Sequence, residues 1–373
     1  MQFIVSTGTL LKQLQSISGV VSSNTILPIV ECFLFDIRKG ELVLASTDLE
    51  TSMITTIPVE SKDACKVAIP AKQILEILKN LPEQPLTIKV EKENYGVEIA
   101  SENGRYKLMG EDGENFPKIT QQEGTDEVKA ASGVILRAIT KTMNAIGNDE
   151  MRPAMNGLYF QMTPEGTHFV ATDAHRLVKM TRSDMTFKNS TSFIVPRKSV
   201  AQLKMMLPNN DSEVSIAHEK GNAFFKTESM QLVCRLIDAK YPDYQAVIPV
   251  DNPSCLTIEK EELMGTLKRV QIFANKTTHQ VAFKLAGSSL QISAQDLDFS
   301  NEAKETLTCE FNGDDMEIGF NSKFMLEMLN NVDTKQIRLE LSTPTRAGVL
   351  TPDVQEENES LLMLVMPIMI NNY

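Results

Sequence analysis

Asp173 and His175 stand two residues apart, and a carboxylate beside an imidazole is common apparatus for general acid–base catalysis. The acid, however, recurs. Val-Leu-Ala-Ser-Thr-Asp ends at Asp48, Phe-Val-Ala-Thr-Asp at Asp173 and Gln-Ile-Ser-Ala-Gln-Asp at Asp296. An acid that returns three times in one setting is expected to close the turn after a strand through its side-chain oxygens, which takes the pair out of catalysis. His175 and Arg176 are not repeated, because the other two copies carry Glu50-Thr51 and Asp298-Phe299 there; a feature of one copy implies a local task. The chain has no G-x-x-x-x-G-K-[ST], H-E-x-x-H or G-x-S-x-G run, hence no phosphate loop, zinc-protease helix or nucleophile elbow. The expectation is a protein without catalytic residues, metal or cofactor.

A second set of residues points to a polyanion. Lys12, Lys72, Lys79, Arg137, Lys141, Lys198, Lys268, Arg269 and Lys323, with Arg197 flanking them, fall opposite the apolar stripes of six amphipathic stretches. Those stretches and their flanks hold twelve basic and five acidic residues, although the whole chain carries −12. Positive charge is therefore concentrated on helix backs and negative charge elsewhere. Lysines and arginines tracking phosphates gain affinity from counterion release. Tryptophan is absent and no aromatic platform lies among these residues, which favours backbone contact with a duplex over base stacking.

The elements that position these residues repeat. Phe116-Pro117, Tyr241-Pro242 and Met366-Pro367 are spaced 125 residues apart, and Ile69-Pro70-Ala71-Lys72 returns as Val195-Pro196-Arg197-Lys198 and Phe320-Asn321-Ser322-Lys323. Fixed-period self-similarity means like units in tandem. Domains are expected over 1–123, 126–250 and 251–373. In each, a short strand leads into a first helix (7–21, 132–146, 261–274), and strands broken by Lys39-Gly40, Glu165-Gly166 and Gly287-Ser288 follow. A second helix comes next (71–81, 198–207, 322–331), then more strands. Pro70 and Pro196 suit a helix start, and Pro82 and Pro208 a stop. The fold class is α+β. A chain of 373 residues, 42% hydrophobic and 23% charged, is an ordinary globular composition. Five cysteines without a C-x-x-C pair fit a reducing cytoplasm, and the first basic residue, Lys12, comes too late for a signal peptide. The apolar run 361–370 is interrupted by Pro367 and too short to span a bilayer.

Several motifs together resemble one family. Leu27-Pro28-Ile29, the run Ala171-Thr172-Asp173-Ala174-His175-Arg176-Leu177, Ile194-Val195-Pro196-Arg197-Lys198, Tyr241-Pro242-Asp243-Tyr244, Met316-Glu317-Ile318-Gly319-Phe320-Asn321 and Val365-Met366-Pro367-Ile368 look like the bacterial DNA polymerase III β subunit family of sliding clamps. The resemblance covers residues 1 to 373. It implies three tandem clamp domains of two helices plus antiparallel sheets, and a head-to-tail homodimer forming a six-domain ring. Double-stranded DNA, bound without sequence preference, would pass through the hole. Subunits would meet through Tyr106 and Leu108 on one side and Ile272 and Phe273 on the other. A groove lined by Met155, Thr172, Ala174, His175, Arg176, Leu177, Pro242, Val247, Leu364, Met366, Pro367 and Ile368 would receive a short Gln/Leu/Phe-containing peptide. That peptide would come from the replicative polymerase catalytic subunit, the clamp-loader ATPase, and other polymerases and repair proteins. Asn24 and Arg152, the latter in the loop 148–152, match positions near the duplex; Asn24 and Asp149 depart from the basic residues expected there. The turn Thr343-Pro344-Thr345-Arg346 and the tail 369–373 also depart from familiar members. No membrane contact is implied. The competing reading is a repeat protein that recruits peptides without binding DNA.

Overall fold

Three copies of one strand–helix pattern organise the computed structural model, which describes residues 1–22, 26–61, 64–124 and 127–370. Asn24 and the end of the tail, 371–373, lie outside the described residues. The chain divides into two compact units, 1–137 with 198–236 and 138–197 with 237–373. The helices are α1 (Thr7–Ile17), α2 (Ala71–Lys79), α3 (Ser132–Thr142), α4 (Arg197–Met206), α5 (Lys260–Val270) and α6 (Ser322–Asn330). Their starts follow local chemistry. The Ser6 hydroxyl accepts the Thr9 N–H at 3.2 Å before α1, and the Asn321 amide oxygen accepts from Lys323 N and Phe324 N before α6, satisfying donors a helix leaves open. Buried faces have the helical period: Leu10, Leu14 and Ile17 on α1, and Leu263, Leu267 and Val270 on α5. The first helix of each domain ends earlier than expected. It tightens into a 3-10 turn, Ser18–Val20, Met143–Ala145 or Gln271–Phe273, a common helix ending that apolar periodicity does not reveal.

All strand pairs are antiparallel. In the first unit, a five-stranded sheet runs Glu60–Ser61, Gln2–Ser6, Pro85–Val90, Gly96–Ala100, Arg105–Met109, and a nine-stranded sheet joins five strands of the first domain to four of the second. The seam of the latter pairs Thr51–Pro58 with Met230–Arg235, Ser52 opposite Val233. In the second unit, a nine-stranded sheet joins four strands of the second domain to five of the third through Arg176–Arg182 and Glu359–Val365, Leu177 opposite Leu364. A four-stranded sheet there runs Asn301–Thr308, Ser289–Asp296, Gln280–Ala286, Met316–Asn321. One sheet face is buried under the helices, with Phe33, Phe35, Phe160, Phe169, Phe283 and Phe320 fully enclosed.

The repeated acid closes turns. Asp48 Oδ1 accepts from Glu50 N and Thr51 N, Asp173 Oδ1 from His175 N and Arg176 N at 3.0 Å each, and Asp296 Oδ1 from Asp298 N. Leu49 and Ala174, the next residues in the first two copies, take positive φ values of 78° and 73°.

The third apolar-proline pair is out of register with the other two. Val233 and Leu364 hold equivalent seam positions, and four residues on, Ile237 N donates to Ile194 O at 3.0 Å and Ile368 N to Gly319 O at 2.8 Å. In the first domain the same place is taken by Glu111, opposite Ala68. Phe116 and Tyr241 come five and four residues after these points, whereas Met366-Pro367 comes before its own. The 125-residue spacing aligned this pair by sequence because proline is useful in both places: after a strand it ends the ladder, and in a linker it stiffens the crossing.

Candidate functional site

Strand pairing brings two of the singled-out segments together. With Arg176 opposite Val365 and Leu177 opposite Leu364, Met366 N donates to His175 O at 2.9 Å. Leu177 and Leu364 join Val170, Ile194, Tyr241, Tyr244 and Ala347 in one buried cluster, with Ala154, Tyr159, Ile237 and Ile248 packed against it. The Tyr159 and Tyr241 rings stack at 4.4 Å, Tyr241 Oη donates to Val170 O at 3.2 Å, and Tyr244 Oη donates to Gln161 Oε1 at 2.5 Å. Burial pushes the Tyr241 phenol far above its usual range, so it stays a donor. Of the other residues expected to line the groove, Ala174, His175, Val247 and Met366 are exposed, and Met155, Pro242, Pro367 and Ile368 are half-buried. Thr172 is buried; its Oγ1 donates to Arg176 O at 2.7 Å and accepts Ala174 N–H. An apolar floor with an adaptable methionine on its rim suits an extended peptide with apolar side chains. Sequence reasoning left out Tyr159, Tyr244, Ile248 and Ala347; Tyr244 was already visible in the Tyr-Pro-Asp-Tyr motif.

Arg176 is a bracket, not a lining residue with a free head. It is 8% exposed. Its Nε donates to Asp173 Oδ2 at 3.0 Å, Nη1 to Glu327 Oε2 at 2.6 Å and Nη2 to Asn144 O at 2.6 Å, with the guanidinium 4.5 Å from the centroid of Phe324. A planar fork with five donors can join a turn, a helix carboxylate and a carbonyl at once. Asp173 is thereby occupied by backbone N–H groups and Arg176, which agrees with its reading as a turn acid and not as the partner of His175.

The basic residues divide into free and engaged. Lys12, Lys72, Lys79, Lys268 and Lys323 are exposed, and among the described residues none has an ion pair or side-chain hydrogen bond. Lys198 is paired with the Asp48 carboxylate. Arg197 Nη1 donates to Ile146 O at 2.8 Å, and Arg269 is held by Glu305 at 2.6 Å. Arg152 bonds Asp149 at 2.8 Å, which holds the Asp149 carboxyl below the usual range. Arg137 is half-buried and engaged. Lys141 contradicts its expected outward place: it is 6% exposed, with Nζ donating to Asn331 O at 2.5 Å and Asp333 Oδ2 at 2.8 Å, while Asn331 Nδ2 donates to Lys141 O. The helical wheel located Lys141 opposite its own stripe, but the end of α6 occupies that side. Gln202 of α4 is buried against Gly19, where a Cβ would collide with its amide.

Two edges remain. Tyr106 and Leu108, both half-buried, lie on Arg105–Met109, the last strand of the five-stranded sheet. Ile272 and Phe273 form the turn after α5 and are 74% and 39% exposed. Among the described residues no helix is long and apolar enough to cross a membrane.

Comparison with known proteins agrees with this geometry. Residues 1–120, 130–243 and 245–369 match the family models of the DNA polymerase III beta subunit N-terminal, central and C-terminal domains. The beta sliding clamp of Pseudomonas aeruginosa is 27% identical over 99% of this chain and 100% of that protein, and that of Vibrio cholerae is 28% identical over the same shares. The crystal structure of the DNA polymerase III subunit beta from Pseudomonas aeruginosa matches with a TM-score of 0.94 at 26% identity, over 99% of this chain and 100% of that one. A Bacillus subtilis DNA polymerase sliding clamp, at 23% identity, shares the fold with a TM-score of 0.94 over 100% of both chains. Three matched domains run in order along nearly the whole chain, and the chain belongs to the DNA polymerase III β subunit family, the DNA sliding clamps, which are processivity factors and not themselves catalytic enzymes.

Proposed function

We propose that two copies of this chain close head to tail into a six-domain ring around duplex DNA and tether the replicative polymerase through the groove beside Thr172–Leu177. The observation that carries this reading is the incomplete set of seams. Within the chain, the third strand of one domain's second half-sheet pairs with the last strand of the next domain, Thr51–Pro58 with Met230–Arg235 and Arg176–Arg182 with Glu359–Val365. Each seam builds nine strands from five and four. What is left is a five-stranded sheet ending on Arg105–Met109 of the first domain and a four-stranded sheet ending on Asn301–Thr308 of the third. Repeating the seam between copies joins Asn301–Thr308 of one to Arg105–Met109 of the other. Two such joints close the chain pair and leave no open edge there.

On this reading the domains are 1–123, 126–250 and 251–373, and Tyr106, Leu108, Ile272 and Phe273 meet at the joints. The unpaired lysines Lys12, Lys72, Lys79, Lys268 and Lys323 face the duplex, with Lys198, Arg197, Arg152 and Arg269 reaching it where their partners release them. Clamp-loader ATPase, other polymerases and repair proteins use the same groove by a short Gln/Leu/Phe-containing peptide, in the cytoplasm. Changing the five unpaired lysines to alanine is expected to flatten the dependence of log affinity on log salt by about 0.9 for each phosphate contact removed, measured on linear duplex. An unchanged slope would take these residues off the DNA.

A further inference from the structure

The strand Arg176–Arg182 carries three cations, and two of them have carboxylate partners. Arg176 is tied to Asp173 and Glu327, and Arg182 to Asp184 and Glu359. The third, Lys179, is half-buried and has no ion pair or side-chain hydrogen bond among the described residues. It has an aromatic face instead: its Nζ lies 5.7 Å from the centroid of the Tyr244 ring. Burial holds the Lys179 ammonium below the usual lysine range, and burial with the nearby Lys179 charge holds His168 below the usual histidine range. A charge taken partly out of water is costly unless an opposite charge meets it. The sheet itself does not need a cation here. The matching strand of the first seam, Thr51–Pro58, has the half-buried Ile54 in this place, opposite Ala45 as Lys179 is opposite Val170. The third-domain counterpart, Lys304 opposite Ser293, is exposed and can be hydrated.

We propose that Lys179 reads an acidic side chain on the peptide that the groove takes, so that partners carrying an aspartate or glutamate beside their apolar residues are preferred. This rests on the groove reading above and adds a charge requirement to it. Continuity with the groove is the first support. Successive residues of a strand alternate between faces, so Lys179 shares a face with Leu177, two residues before it, and its direct strand neighbours are Val170 and Leu362. Val170, Leu177 and Tyr244 belong to the buried cluster that forms the groove's floor. Charge is the second support. An ammonium has three donors and no acceptor, and none of the described residues gives Lys179 a carboxylate. A carboxylate arriving with the peptide accepts from Nζ and favours the charged form that burial disfavours. Arg176 is not free for this task, because its Nε, Nη1 and Nη2 are all engaged, by Asp173, Glu327 and Asn144 O.

Competition binding to the full-length protein tests this, with unlabelled peptides that share glutamine, leucine and phenylalanine and carry aspartate or asparagine at each remaining position in turn. At one position aspartate is expected to bind about tenfold tighter than asparagine, the effect of a hydrogen bond between charged groups. That preference is expected to vanish in Lys179→Met, which puts an apolar side chain where the first seam has Ile54, and to return in Lys179→Arg. Peptides that bind without preferring aspartate at any position overturn the proposal and leave the groove standing. A preference that persists in Lys179→Met also overturns it, since another cation then meets the carboxylate. If no peptide of either kind binds the unaltered protein, the groove reading itself fails and this one falls with it.

Discussion

Changing Ile272 to alanine and Phe273 to lysine is expected to convert the protein from a particle of twice the chain mass into single chains. Ile272 is 74% exposed and Phe273 39%, in the turn that ends α5, where Leu263, Leu267 and Val270 already fill the inner face. Neither residue is needed by the core, so the change spares the fold. If the pair is buried at a joint between copies, each large apolar side chain contributes about 1.5–3 kcal/mol, and closure uses both joints. A loss on the order of 5 kcal/mol raises the dissociation constant more than about a thousandfold, and the lysine adds the cost of an unpaired charge. Sedimentation velocity reads the result. A sedimentation coefficient equal to that of the unaltered dimer removes Ile272 and Phe273 from the joint.

The second large effect is expected at the groove. Val247 and Met366 are 55% and 42% exposed, whereas Leu177 and Leu364 are buried, so Val247→Glu with Met366→Glu alters the proposed rim and not the floor. A carboxylate that an apolar peptide side chain must cover is desolvated without a partner. Loss of two central apolar contacts costs about 2 kcal/mol or more. Affinity for a short Gln/Leu/Phe-containing peptide should fall about thirtyfold or more by fluorescence polarisation, with the thermal transition little moved. Full-strength binding would place the peptide elsewhere.

Much of this was legible in the chain. Periodicity located six helices, and threefold repetition assigned Asp48, Asp173 and Asp296 to turns, because a local pattern has a local cause. What escaped was tertiary. Lys141 lies where a helical wheel points outward, yet the end of α6 takes its ammonium; no one-dimensional pattern records a neighbouring helix. Arg176 was visible as unusual, but its ties to Asn144 and Glu327 connect residues far apart in sequence. Lys198 and Arg269 face outward as expected and still carry carboxylate partners. Met366-Pro367 was aligned by spacing, and only strand pairing exposed the slip.

The most direct test of encirclement uses covalently closed plasmid. After loading, the protein should remain with the closed circle through a high-salt gel-filtration column and be lost once a single restriction cut linearises it. Release from the circle before cutting, or retention that ignores the cut, would mean that the protein grips DNA by charge and does not surround it.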